Sequence, residues 1–123
     1  MCRKHHFQHG PGGASSFYHA LFHELAHWTE PRARCGWWDT PEVNELRAEI
    51  AADFLATEFA VPDYPYRCRR NVHKHLEIWI NEMRRRPRLI SKVAASAAKA
   101  VDYILGYTLK VEPRHEAIWD EAV

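Results

Sequence analysis

The sequence has no long apolar run and almost no excess charge, and these absences exclude several classes of protein. No stretch among its 123 residues approaches the roughly 20 apolar residues that a membrane-spanning helix needs. The first thirteen residues lack the hydrophobic segment of a secretory signal. A formal net charge of +1 gives no strong indication of a nucleic-acid or membrane partner. We therefore expect a cytoplasmic protein with no membrane contact and no direct binding of nucleic acid.

Cysteine is scarce as well, which bears on the compartment and on how the fold is held together. The three cysteines, Cys2, Cys35 and Cys68, are widely spaced and form no C-x-x-C pair. They indicate free thiols in a reducing compartment rather than a disulfide framework. A hydrophobic content of 46% with five tryptophans predicts one folded domain. We assign it to residues 15–123, after a flexible polar and glycine-rich tail at residues 1–14.

Strand patterns are nearly absent, and the apolar periodicity predicts a mainly α-helical bundle with little or no sheet. The four principal helices are expected at about residues 16–29, 41–62, 69–86 and 87–106. Thr40 followed by Pro41 is typical of a helix start, and Gly106 is expected to end the fourth helix. Residues 108–111 are predicted to form a short extended piece, and residues 113–122 a last helical turn or two.

The residues most suggestive of chemistry lie on the first helix, where His23, Glu24 and His27 form an H-E-x-x-H motif. Side chains four apart share a helix face, so the two imidazoles can bind one cation. Glu24 lies beside them, where a carboxylate can take a proton from a metal-bound water. This arrangement is typical of zinc hydrolases and predicts one Zn²⁺.

A third ligand is expected from the second helix. The sequence has Glu30 and Ala33 where the metzincin extension has glycine and histidine, so that class is excluded. A glutamate from a following helix, with an acid one turn later to orient a histidine, is the gluzincin solution. Two alternatives remain open: Glu45 as ligand with Glu49 behind it, or Glu49 as ligand with Asp53 behind it. We prefer Glu49, because the small residues after it favour close packing of the two helices.

Three blocks of sequence together resemble a known family, and they occur there in the same order. The blocks are Leu21-Phe22-His23-Glu24-Leu25-Ala26-His27-Trp28-Thr29, Glu45-Leu46-Arg47-Ala48-Glu49-Ile50-Ala51-Ala52-Asp53-Phe54-Leu55 and Ala97-Ala98-Lys99-Ala100-Val101-Asp102-Tyr103-Ile104-Leu105-Gly106. They look like the zincin-like metallopeptidase domain of ArdC-type antirestriction proteins and of the polyvalent proteins of plasmids and phages. A more distant likeness is to ImmA-type metallopeptidases.

The resemblance implies roles for particular residues and also shows where this chain departs from the family. His23, His27 and Glu49 would be metal ligands and Glu24 the general base, while Tyr103 could stabilise an oxyanion. ArdC-type proteins carry an upstream domain that binds single-stranded DNA, and zincins usually place a small sheet before the active-site helix. Neither has a counterpart here. The domain works without the sheet, a separate chain supplies it, or the gene is a shortened relic.

The function expected from these observations is zinc-dependent hydrolysis of peptide bonds in a protein or peptide substrate, by a domain of an antirestriction-type protein. A separate domain or chain that binds single-stranded DNA is a possible partner. The alternatives are a non-catalytic, zinc-stabilised interaction domain that contacts host defence proteins or DNA, and a fragment of a longer ArdC-type protein. Trp37 and Trp38 either line a substrate cleft or cover the core. His73 and His75 are not expected to be ligands.

Overall fold

A computed structural model describes residues 13–37, 39–63 and 70–122, with side-chain surroundings for 13–37, 39–63 and 72–107. These ranges contain four helices: α1 (Gly13–Trp28), α2 (Pro41–Glu58), α3 (Arg70–Arg85) and α4 (Leu89–Ala122). The described ranges contain no strand. The predicted mainly α-helical architecture with four principal helices is confirmed. Gly13 and Ala14, assigned to the tail, begin α1, and the rest of the predicted tail lies outside the described residues.

Helix α2 begins where the sequence predicts and ends earlier than expected. The hydroxyl of Thr40 accepts a hydrogen bond from the backbone N–H of Val43 at 3.3 Å, and Pro41 occupies the first turn. At the other end the N–H of Val61 donates to the carbonyl of Ala56, and Ala60 takes the left-handed conformation with φ of 54°. This turn closes the helix at Glu58, before Pro62 is reached.

Helices α1 and α2 pack closely because alanines of α2 face α1. Phe22 and Ala26 of α1 belong to one buried core with residues of α2 and α4. The α2 and α4 members of this core are Ala48, Ala51, Ala52, Leu55, Ala56, Ala97 and Val101. The two helices run antiparallel, since His27 contacts Glu45 while His19, two turns earlier, contacts Asp53.

A second apolar cluster joins α2 to α3 and α4. Its buried members are Val43, Leu46, Trp79, Leu89 and Val93. The indole N–H of Trp79 donates a hydrogen bond of 2.9 Å to the carbonyl of Glu42, so its burial leaves no polar atom unsatisfied. This cluster fixes the end of α2 that carries Glu45.

Helix α4 corrects two predictions made from sequence. It continues through Gly106 and through residues 108–111, which were predicted to be extended, to Ala122. A glycine ends a helix readily only when it adopts a positive φ. In the described chain Gly13 and Gly36 do so, with φ of 51° and 69°, and Gly106 does not. No helix in the described part of the chain is long and apolar enough to cross a membrane.

The loop between α1 and α2 is held by the buried guanidinium of Arg47. That side chain is 3% exposed and donates to Asp39 near the loop's end, to Asn44 and, across the bundle, to Ser96. Its guanidinium carbon also lies 4.9 Å from the ring centroid of Trp37. The loop that follows the H-E-x-x-H helix is therefore anchored to α2 and α4.

Candidate metal centre

The two histidines of the H-E-x-x-H motif project together from α1. His23 and His27 are one helical turn apart, and their Nε2 atoms are separated by 3.0 Å. Their rings meet edge to face with centroids 4.7 Å apart. Both side chains are partly buried, at 12% and 23% exposure, in the seam between α1 and α2. The motif thus presents two ring nitrogens to one point, as the helical spacing predicts.

Helix α2 brings Glu45 to that same point. One carboxylate oxygen lies 3.1 Å from Nε2 of His23 and the other 2.9 Å from Nε2 of His27. Two imidazole nitrogens and a carboxylate are a usual donor set for zinc. Ligands bonded to one tetrahedral zinc at about 2.0–2.1 Å lie roughly 3.3–3.4 Å apart. The three side chains therefore fit such an ion with shifts of a few tenths of an ångström.

The other nitrogen of each ring meets a carboxylate. Nδ1 of His23 lies 2.9 Å from Glu49, and Nδ1 of His27 makes a 2.6 Å hydrogen bond with Glu30. Carboxylates in this position orient the ring and increase its basicity when a metal-ligating histidine binds an ion. Both imidazoles are thus held with Nε2 toward Glu45.

The electrostatics of the seam favour positive charge at His23. Burial by itself lowers the pKa of this imidazole, but the contact with Glu49 and the negative charges of Glu49, Glu45 and Glu24 outweigh burial and raise the pKa above its ordinary value. The same carboxylates that stabilise an added proton would stabilise a divalent cation, so the field at this position suits a metal ion.

The acids of α2 are arranged as in the alternative that has Glu45 beside the metal position and Glu49 behind it. Glu45 faces both Nε2 atoms, and Glu49 lies behind His23 on the ring's far nitrogen. Asp53 approaches His19, at 3.6 Å, rather than His23. Glu49, preferred from the sequence as the third metal ligand, contacts Nδ1 of His23 in this arrangement, and that preference stays a prediction.

Glu30 was not assigned a role from sequence, although a signal for it existed. It lies three residues after His27, just beyond the end of α1, where the chain turns back toward the motif. An acid at this spacing from a helical histidine can reach the ring's outer nitrogen.

Glu24 and Tyr103, the other two predicted site residues, have different surroundings. Glu24 is exposed on α1, and its charge acts on the neighbouring His23. Tyr103 makes its described contacts with Tyr107, at 3.5 Å between the hydroxyls, and with the ring of Trp28. None of these contacts is with His23, His27 or Glu45.

A cavity of about 360 Å³ opens beside His27. It is lined by His27, Glu30, Pro31, Arg32 and Trp37. Trp37 lines this cavity, and its ring packs on the guanidinium of Arg47. That the two tryptophans line a substrate cleft or cover the core stays a prediction, and Trp38 lies outside the described residues. His75 stacks on Trp79 in another part of the bundle, and the histidines of the N-terminal tail are not among the described residues.

A family described as zincin-like metallopeptidase matches residues 1–97, which include all the histidines and carboxylates of this centre. No curated protein and no solved structure matches the chain.

Proposed function

The chain belongs to the zincin-like metallopeptidase family, and from this premise we propose that it is a zinc-dependent peptidase whose ion is held by His23, His27 and Glu45. Three short distances support this ligand set. The two Nε2 atoms lie 3.0 Å apart, and those of His23 and His27 lie 3.1 and 2.9 Å from the two Glu45 oxygens. Glu49 and Glu30 orient the two imidazoles through Nδ1.

The proposed chemistry is attack of water on a peptide carbonyl. Zinc, when bound, polarises that carbonyl and lowers the pKa of water to about 7. Glu24 is placed next to a ligating histidine and is exposed, so its carboxylate is accessible to a substrate. It accepts the proton of the attacking water and delivers it to the leaving amine. Glu24 needs no contact with the metal for this role.

The cavity beside His27 is the proposed position of a substrate side chain. Its lining combines the flat apolar ring of Trp37 with the charged groups of Arg32 and Glu30. Because Arg47 holds the loop that bears Trp37, the cavity wall is fixed relative to Glu45 on the same helix as Arg47. A bound peptide would lie along α1 and α2, with one side chain in this cavity.

The biological setting that we propose, from the likeness to ArdC-type sequences, is antirestriction by a protein of a plasmid or phage. The substrate would then be a host defence protein, and a domain or chain that binds single-stranded DNA would be a partner. In the non-catalytic alternative, the same zinc-stabilised surface binds a defence protein without cutting it. The two alternatives differ in whether the protein's function requires the Glu24 carboxylate.

The test compares the wild-type protein with Glu24→Gln and with Glu77→Gln, an exposed glutamate of α3 that serves as a matched control. Each zinc-loaded protein is incubated with a bacterial lysate, and new peptide termini are identified by mass spectrometry. Loss of a general base typically lowers a rate about 10²–10⁴-fold. We expect termini with the wild type and with Glu77→Gln but not with Glu24→Gln. Identical termini from all three proteins would contradict the proposal. So would a Glu24→Gln protein that protects DNA from restriction as well as the wild type does.

A further inference from the structure

A second group of metal-ligating side chains lies next to the first in the α1–α2 seam. It consists of His19 on α1, Asp53 on α2 and Asp63 beyond the end of α2. One nitrogen of His19 and one oxygen of each aspartate lie within 4.8 Å of one another. His19 is 4% exposed, whereas Asp53 and Asp63 are 47% and 79% exposed. A buried imidazole is thus paired with carboxylates that open to solvent.

The group continues the pattern of the first centre by one helical turn. His19 precedes His23 by four residues on α1, and Asp53 follows Glu49 by four on α2. Because the two helices are antiparallel, His19 and Asp53 lie opposite each other, one helical turn from His23 and Glu49. The seam therefore repeats the pairing of an imidazole with an acid of α2, and the repeat is completed by a carboxylate from a third segment.

The two aspartates lie farther from the ring of His19 than direct hydrogen-bond distance. Nδ1 of His19 lies 3.6 Å from Asp53, and Nε2 lies 3.9 Å from Asp63. A hydrogen bond between such atoms is about 2.7–3.2 Å long. Two ligands at about 2.0–2.2 Å from one ion lie roughly 3.3–3.6 Å apart in tetrahedral geometry. One ion binds only one of the two ring nitrogens, so the site uses a single nitrogen of His19 with one oxygen of each aspartate. These three atoms lie within 4.8 Å of one another, and inward movement of the exposed aspartates by up to about 1 Å would complete the coordination.

The third segment is held near His19 by packing and by the backbone. Val61 packs against the α1–α2 core and donates its N–H to the carbonyl of Ala56 at 2.8 Å. Pro62 then restricts the chain before Asp63. Asp63 is therefore presented to α1 by a fixed turn rather than by a long loop, which lowers the entropy lost on binding an ion.

We propose that His19, Asp53 and Asp63 form a second site for a first-row divalent cation such as Zn²⁺, Mn²⁺ or Co²⁺. One imidazole with two carboxylates is a donor set for these ions, whereas Ca²⁺ and Mg²⁺ prefer oxygen ligands alone. The exposed sides of both aspartates leave room for water as the remaining ligand. The ion links α1, α2 and the chain beyond α2, and this role is independent of peptidase activity.

The experiment counts zinc equivalents by equilibrium dialysis in full-length protein. The background carries His5→Ala, His6→Ala and His9→Ala, because a tract of three tail histidines can bind zinc by itself. We expect two equivalents in this background. Asp63→Asn should lower the affinity for the second zinc at least ~10-fold and leave the affinity for the first unchanged. Loss of even an orienting partner typically costs about 10–100-fold in affinity. Asp102→Asn, an exposed aspartate on α4, is the matched control and should bind two.

Two results would overturn the second site. One is a single equivalent in the tail-substituted background. The other is a second equivalent that binds equally well in Asp63→Asn, in Asp53→Asn and in the control. Both aspartates are solvent-accessible, so neither substitution removes core packing. A His23→Ala variant in the same background should lose the first equivalent and keep the second, which separates this site from the proposed catalytic centre.

Discussion

Replacing Glu45 and Glu49 in turn by glutamine gives the sharpest test of how the two helices share the metal-binding roles. Both changes keep the shape of the side chain and remove its charge. Glu45 lies 3.1 and 2.9 Å from the two Nε2 atoms, while Glu49 lies 2.9 Å from Nδ1 of His23. The first change therefore removes a proposed ligand, and the second removes a group that orients one.

The expected magnitudes follow from these positions. Loss of an orienting partner typically lowers metal affinity about 10–100-fold, or roughly 1.4–2.7 kcal/mol. We expect Glu49→Gln to fall in that range. Glu45→Gln should exceed it, with a loss of more than ~100-fold, because it removes the one carboxylate that faces both rings.

The assay is competition for zinc between the protein and a chromogenic chelator. Glu58→Gln, an exposed glutamate at the end of the same helix, is the control and should bind zinc as the wild type does. Equal losses in the two site variants, or a larger loss in Glu49→Gln, would refute the assignment. The larger loss in Glu49→Gln would instead make Glu49 the ligand and Glu45 its orienting partner.

Two further predictions concern the bundle that positions the site. Leu55→Ala should lower the free energy of unfolding by about 3 kcal/mol, because this leucine is 0% exposed and its loss leaves a cavity; urea denaturation giving less than about 1 kcal/mol would contradict the packing described. Arg47→Ala should lower the free energy of unfolding by a similar ~3 kcal/mol. This is the lower end of the range for breaking a buried ion pair, because Asp39 is 38% exposed. The exposed pair of Arg85 with Glu82 serves as its control, and Arg85→Ala should change stability by less than ~1 kcal/mol.

Sequence periodicity was enough to predict the helices and the convergence of two histidines, because both depend on local geometry. A helix places residues four apart on one face whatever surrounds it. The start of α2 was predictable for the same reason, since Thr40 and Pro41 act on their own backbone. The end of α4 was not, because a glycine ends a helix only if the chain requires a positive φ there, and at Gly106 it does not.

The choice between Glu45 and Glu49 could not be made from the sequence. Both acids lie on the same face of α2, so the one that reaches the Nε2 atoms depends on how far α2 is displaced along α1. That displacement is set by packing between the helices, in the buried cluster that contains Phe22, Ala48 and Ala52. The role of Glu30 likewise depends on the turn after α1, although its spacing of three residues from His27 is compatible with the contact.

The most direct measurement of the central claim is the zinc content of three purified proteins, the wild type, His23→Ala and His27→Ala, after dialysis against a competing chelator. If these histidines and Glu45 hold the ion, the wild type retains one tightly bound zinc more than either variant, and all three proteins remain helical by circular dichroism. Retention of that tightly bound zinc by both variants would show that the ion is not bound at the H-E-x-x-H motif and would contradict the account.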